Sequence, residues 1–118
     1  MQKVLIVKEG RWVVKTESYQ ELVEMYKKVL DRAEDEGNKM AMVEIIGTAK
    51  EAEKRAEMAD VVVFVSRGME DEAEKLAKAF PRLKVIVFTG DIPQGKVIWV
   101  NKTWATEPET IQNIVLRY

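Results

Sequence analysis

A chain of 118 residues that is 47% hydrophobic has apolar surface for one core, and 19 basic against 20 acidic residues leave a formal charge of -1, which argues against the basic field that phosphate-backbone binding relies on. With no cysteine and no histidine, disulfides, thiolate nucleophiles and Cys-ligated metals are excluded, and any catalysis must come from Asp, Glu, Lys, Ser or Tyr. No apolar run approaches the ~20 residues of a membrane span, so the expectation is one cytoplasmic domain over residues 1–118, with no membrane partner and nucleic acid a weak candidate.

The chain opens on VLIV at residues 4–7, a continuous β-branched run that suits a strand covered on both faces. It leads into KVLIVKEGRWVVK, residues 3–15, where Glu9-Gly10 reads as the turn of an N-terminal β-hairpin because Gly supplies the positive φ of a primed turn. In that reading residues 11–15 pair antiparallel with residues 3–7. The alternative is a flap over the carboxyl end of the sheet, since the segment is longer than the about 2 to 6 residues of a usual strand-to-helix loop.

From Ser18 the stripe Leu22, Tyr26, Val29, Leu30, Ala33 predicts a helix, with Ser18 and Glu21 at capping-box spacing and Gly37 as its stop. MAMVEII at residues 40–46 predicts an edge strand, and Glu44 within it faces water. Thr48 and Glu51 repeat the capping signal before Ala52, Ala56 and Ala59, small residues that let a helix approach a sheet closely. VVVFV at residues 61–65 and VIVF at residues 85–88 predict central strands, and between them Met69, Ala73, Leu76, Ala77 and Phe80 form a helical stripe stopped by Pro81. KVIWVNK at residues 96–102 predicts a second edge strand, and a last short helix opens at Thr106, Pro108 and Glu109 with Ile111, Ile114, Val115 and Tyr118 inward. Strands alternating with helices give an α/β, three-layer α/β/α fold with a mainly parallel sheet of five or six strands, in the doubly wound order 2-1-3-4-5.

Residues 43–90, VEIIGTAKEAEKRAEMADVVVFVSRGMEDEAEKLAKAFPRLKVIVFTG, resemble the second through fourth strands of the response-regulator receiver family, a flavodoxin-like fold. They have a Gly-containing turn after the second strand, an alanine-rich helix, an Asp entering the third strand and a VIV-x-T-G ending, and with the WVNKTW of residues 99–104 the likeness covers about two-thirds of the chain. The resemblance implies a phosphoacceptor aspartate ending the third strand, two acids after the first strand holding a divalent metal, and a threonine and a lysine that read the phosphoryl group. Thr89 matches the threonine and Lys102 the lysine. Lys8 stands in place of the first acid, Glu9 serves as the second, and Val65, or Ser66 with a shift of one, falls at the acceptor. Without an acceptor carboxylate and a full set of hard oxygen ligands, aspartyl phosphorylation is not expected, nor a resident metal or cofactor.

By the crevice rule for open α/β sheets, a ligand sits beyond the carboxyl ends of the first and third strands, which makes Lys8, Glu9, Ser66, Arg67, Thr89, Asp91 and Lys102 the binding candidates. The S-R-G of residues 66–68 before a helix start suits an anion, and a plain polar loop with a glycine turn is the commoner account of such a stretch. Neither G-x-G-x-x-G nor the P-loop pattern is present. Glu44 lacks the lysine two residues on that a nuclease-type strand carries, Ile46 standing there, so only an inactive relative of that fold fits. Trp99, Trp104 and Tyr118 are the interface candidates, on an edge strand, its exit and the last helix. The leading expectation is a non-catalytic regulatory or interaction domain with a protein partner or itself as a homodimer, its high Glu, Lys and Val content having a thermophile's cast. The alternative is a small-molecule or nucleotide-binding protein.

Overall fold

The computed structural model describes residues 1–9, 16–65, 68–88, 98–100 and 107–117, with the backbone alone for residues 16–19 and 98–100. In chain order the elements are β1 (Gln2–Val7), α1 (Thr16–Asp31), β2 (Glu34–Asp35), β3 (Asn38–Lys39), β4 (Ala41–Ile46), α2 (Ala49–Arg55) with a 3-10 turn (Ala56–Met58), β5 (Val61–Phe64), α3 (Glu70–Ala79), β6 (Lys84–Phe88), β7 (Ile98–Val100) and α4 (Pro108–Gln112), which continues as a π-helical turn (Asn113–Arg117). The central sheet runs β4-β1-β5-β6-β7 and every pairing in it is parallel.

Alternation along the strands sorts the core into two layers. Val4 and Ile6 of β1, Val61 and Val63 of β5, and Ile86 and Phe88 of β6 share one cluster with Val23, Tyr26 and Leu30 of α1 and Ile111 and Val115 of the last helix. Leu5, Val7, Val62, Phe64, Val85 and Val87 face the other way and meet Ala52 of α2, Ala56 of the 3-10 turn after it, Met69 at the N-cap of α3, and Ala73, Leu76 and Ala77 of α3. Helices therefore cover both faces of the sheet, the three-layer α/β/α architecture that the strand-helix alternation predicts. Tyr26 lies in the first layer with its ring centroid 4.7 Å from that of Phe88, and burial pushes its hydroxyl up to about 12.

Several local expectations need correction. Gly37 does not end α1, which stops at Asp31; with φ values of 52 and 81, Glu36 and Gly37 form the primed turn of the small β2-β3 hairpin. α1 also begins at Thr16, so Ser18 lies inside the helix rather than capping it. The Thr48 cap is present: its Oγ1 accepts from Glu51 N–H at 3.1 Å, and the Glu51 carboxylate accepts in return from the N–H of Gly47, one residue ahead of the cap, at 3.2 Å. Both edges of β1 are occupied, by Ala41–Ile46 on one side and Val61–Phe64 on the other. No edge of β1 is left for an antiparallel arm, and the expected arm, residues 11–15, lies outside the described residues.

The last helix is fastened at the amino-terminal end of the sheet. Lys84 Nζ donates to the carbonyls of Ile114 and Val115 at 2.6 and 3.1 Å, and Gln2 Nε2 to that of Leu116 at 2.6 Å. Three carbonyls that a helix end leaves without intrahelical donors are thereby satisfied from β6 and β1. Among the described residues no helix is long and apolar enough to cross a membrane.

Candidate functional site

β1 and β5 are parallel neighbours whose ladder ends with Val7 opposite Phe64, and Lys8 and Val65 are the residues that follow on the two strands. These are the two positions where the receiver resemblance places the first metal-binding acid and the phosphoacceptor. Lys8 is exposed, its N–H donating to the Ile46 carbonyl at 2.8 Å, which extends the β1-β4 ladder by one bond. Val65 is 0% exposed and belongs to the α1-side core. A side chain packed in that layer is both non-nucleophilic and inaccessible.

Glu9 follows, half-buried, and lines a cleft of about 530 Å3 between α2 and α3. Thr48, Lys50 and Glu53 line it from one helix and Glu72, Lys75 and Leu76 from the other. Charges of both signs alternate around it, without the convergent polar set that marks a specific ligand site.

At the start of α3, Gly68 has φ 87 and its N–H donates to the Glu70 carboxylate at 3.2 Å. The first turn of α3 carries Glu70, Asp71 and Glu72. These acids complement the positive end of the helix dipole and put negative charge where an anion would bind. Of the other candidates, Trp99 is on β7 opposite Val87, and Ser66, Arg67, Thr89, Asp91, Lys102, Trp104 and Tyr118 lie outside the described residues.

The sequence reading missed the main charged constellation. Glu44, expected to face water, accepts from Arg55 Nη1 at 2.9 Å and Nη2 at 2.6 Å, and from Lys3 Nζ at 3.1 Å. Arg55 also stands 3.9 Å from Glu51. The Arg55 hydrogen bonds first, then that of Lys3, hold the Glu44 carboxyl down to about 2, and the same contact raises Arg55. Parallel register places Lys3 one strand from Met42, beside Glu44 on the same face, and α2 returns across that face to bring Arg55 over it. Asp60, the acid entering β5, serves the backbone: its carboxylate accepts from Lys3 N–H at 2.8 Å while its own N–H donates to the Lys3 carbonyl at 2.9 Å. That latch lies at the amino-terminal end of the sheet, opposite the end where ligands bind in such folds.

No family model, curated protein or solved structure matches the chain.

Proposed function

We propose that the chain is a non-catalytic, cytoplasmic regulatory or interaction domain of receiver-like fold, acting through protein contacts with a partner or a second copy and not taking up a phosphoryl group. The observation that carries this reading is Val65, fully buried where the receiver resemblance places the acceptor, with a lysine following the neighbouring strand where the first acid would stand. Phosphoryl transfer to an aspartate requires an accessible carboxylate, which a buried valine cannot supply. With the chemistry removed, what remains useful in such a fold is its surface. Trp99 on the edge strand β7, with Trp104 and Tyr118 nearby in sequence, supplies candidate contact residues.

Small-molecule binding is favoured by one feature, the cleft beside Glu9. Against an anionic ligand stands the start of α3, where Glu70 already takes the Gly68 N–H and two further acids follow. A nuclease-like role for Glu44 is disfavoured because its carboxylate is engaged by Arg55 and Lys3.

Incubation with acetyl phosphate and magnesium, followed by intact-mass measurement, tests the proposal. The expected result is an unchanged mass; an acid-labile phosphoryl adduct overturns it.

A further inference from the structure

β4 is an edge strand with one side bonded to β1. In a parallel ladder the residues that bond a given neighbour alternate along the strand. The carbonyls of Met40 and Ile46 accept from Gln2 and Lys8 at 2.9 and 2.8 Å, which directs the even-numbered residues of β4 toward β1. The N–H and C=O groups of Ala41, Val43 and Ile45 therefore point away from the sheet. Ala41 is 0% exposed, whereas Val43 and Ile45 are half-buried and, among the described residues, neither has a main-chain partner on that side. The chemistry that satisfies such a pair of residues is another strand.

We propose that the occupant is a second copy of this chain, its β4 pairing antiparallel with the first about a two-fold axis at Glu44, so that two sheets become one. Three observations select this arrangement. Bonding parity requires odd-numbered residues to face odd-numbered ones, and an axis at Val43 would use the covered Ala41. An axis at Ile45 would use Gly47, whose N–H already donates to Glu51. An axis at Glu44 pairs Val43 with Ile45 of the second copy in both directions, which bonds every outward group of those two residues without needing Ala41 or Gly47.

That register sets Glu44 directly across from its own copy, an arrangement that is repulsive for bare carboxylates. Here each Glu44 is held by Arg55 and Lys3 of its own chain, and with Glu51 beside Arg55 the group of four is neutral. A charge on an edge strand ordinarily guards it against pairing. In β4 the guard is neutralised from behind. Met42, on the same face and 51% exposed, adds apolar area beside the seam. The inference goes beyond the functional reading above, because a strand edge pairs whether or not the carboxyl end is chemically silent.

Sedimentation of the full chain over a concentration series, with amide exchange at low and high concentration, tests it. The expected result is a mass rising from 13.6 kDa to twice that value, with exchange slowing at the Val43 and Ile45 amides while those of Met42 and Glu44, already bonded to β1, stay slow throughout. Val43→Pro removes an N–H that the monomer does not use and should abolish the dimer. Arg55→Gln should do the same by exposing the facing carboxylates, and Glu44→Gln added to it should restore association. A single 13.6 kDa species throughout, or a dimer in which the Val43 and Ile45 amides do not change, overturns the proposal. So does a dimer that survives Arg55→Gln, which decides the matter should Val43→Pro fail to fold by circular dichroism.

Discussion

Arg55 grips Glu44 with both terminal nitrogens, at 2.9 and 2.6 Å, and so ties the last turn of α2 to the edge strand it covers. The folded Glu44 carboxyl is held at about 2, below its ordinary 4.5. A depressed acid stabilises the fold above its unfolded value and loses that contribution as pH falls toward the folded one. The window is therefore from about 4.5 down to about 2. Because the Glu44 side chain is 41% exposed, solvent screening keeps the effect small. Carbonyl-detected titration of wild type should place Glu44 near the bottom of this window, and Arg55→Gln should move it up toward the ordinary range. An unmoved titration would contradict the assigned cause.

The Glu36-Gly37 turn allows a test of backbone strain free of side-chain crowding. A Cβ at Gly37 would meet nothing within 4 Å, so Gly37→Ala adds the conformational penalty of its positive φ and nothing else, roughly 1 to 2 kcal/mol. Glu36, also at positive φ, is the reverse case. Glu36→Asn creates the Asn-Gly pair that primed turns favour and should stabilise by up to about 1 kcal/mol. Urea unfolding of both variants checks the opposite signs.

Lys84 joins β6 to the carbonyls of Ile114 and Val115. Burial lowers its affinity for a proton below the ordinary 10.5, so its charge opposes folding, and stability rises with pH from the lowered value up to 10.5. The ammonium nonetheless serves two acceptors at once. Lys84→Met retains the stem and strands both, which should cost about 1 to 3 kcal/mol. Faster amide exchange confined to residues 108–117 is the expected signature; uniform acceleration would show that the lysine does more than fasten the last helix.

How much of this was legible in the sequence follows from the range of each interaction. VLIV, VVVFV and VIVF announce strands because burial on both faces leaves no polar position in the pattern, and the stripes of α1 and α3 announce helices for the complementary reason. Gly37 was misread because a glycine after a helix suits a helix stop and a primed turn alike; φ at Glu36 decides, and local sequence does not show it. The hairpin reading of Glu9-Gly10, whose arm lies outside the described residues, meets a competition that the local sequence does not show. Residues 41–46 and 61–64 claim both edges of β1, and such distant pairing leaves no mark on residues 3–15. The partners of the partly exposed Glu44 are hidden in the sequence for the same reason, since Arg55 reaches it through the path of α2 rather than through any spacing motif. At the candidate site the receiver resemblance offers Val65, or Ser66 with a shift of one, at the acceptor position; Val65 is buried and follows the strand pair that ends with Val7 opposite Phe64, and Ser66 lies outside the described residues.

The central claim is that the carboxyl end of this sheet performs no phosphoryl chemistry, and trifluoroberyllate, which mimics a phosphoryl group on an aspartate, tests it most directly. Amide spectra would be followed at Lys8, Glu9, Val65 and Gly68 while magnesium and trifluoroberyllate are added together. With a buried valine where the receiver resemblance places the acceptor, and a lysine following the neighbouring strand, the account predicts no saturable shift at these positions. A saturable shift centred on Lys8 and Val65 and dependent on both additives would contradict it.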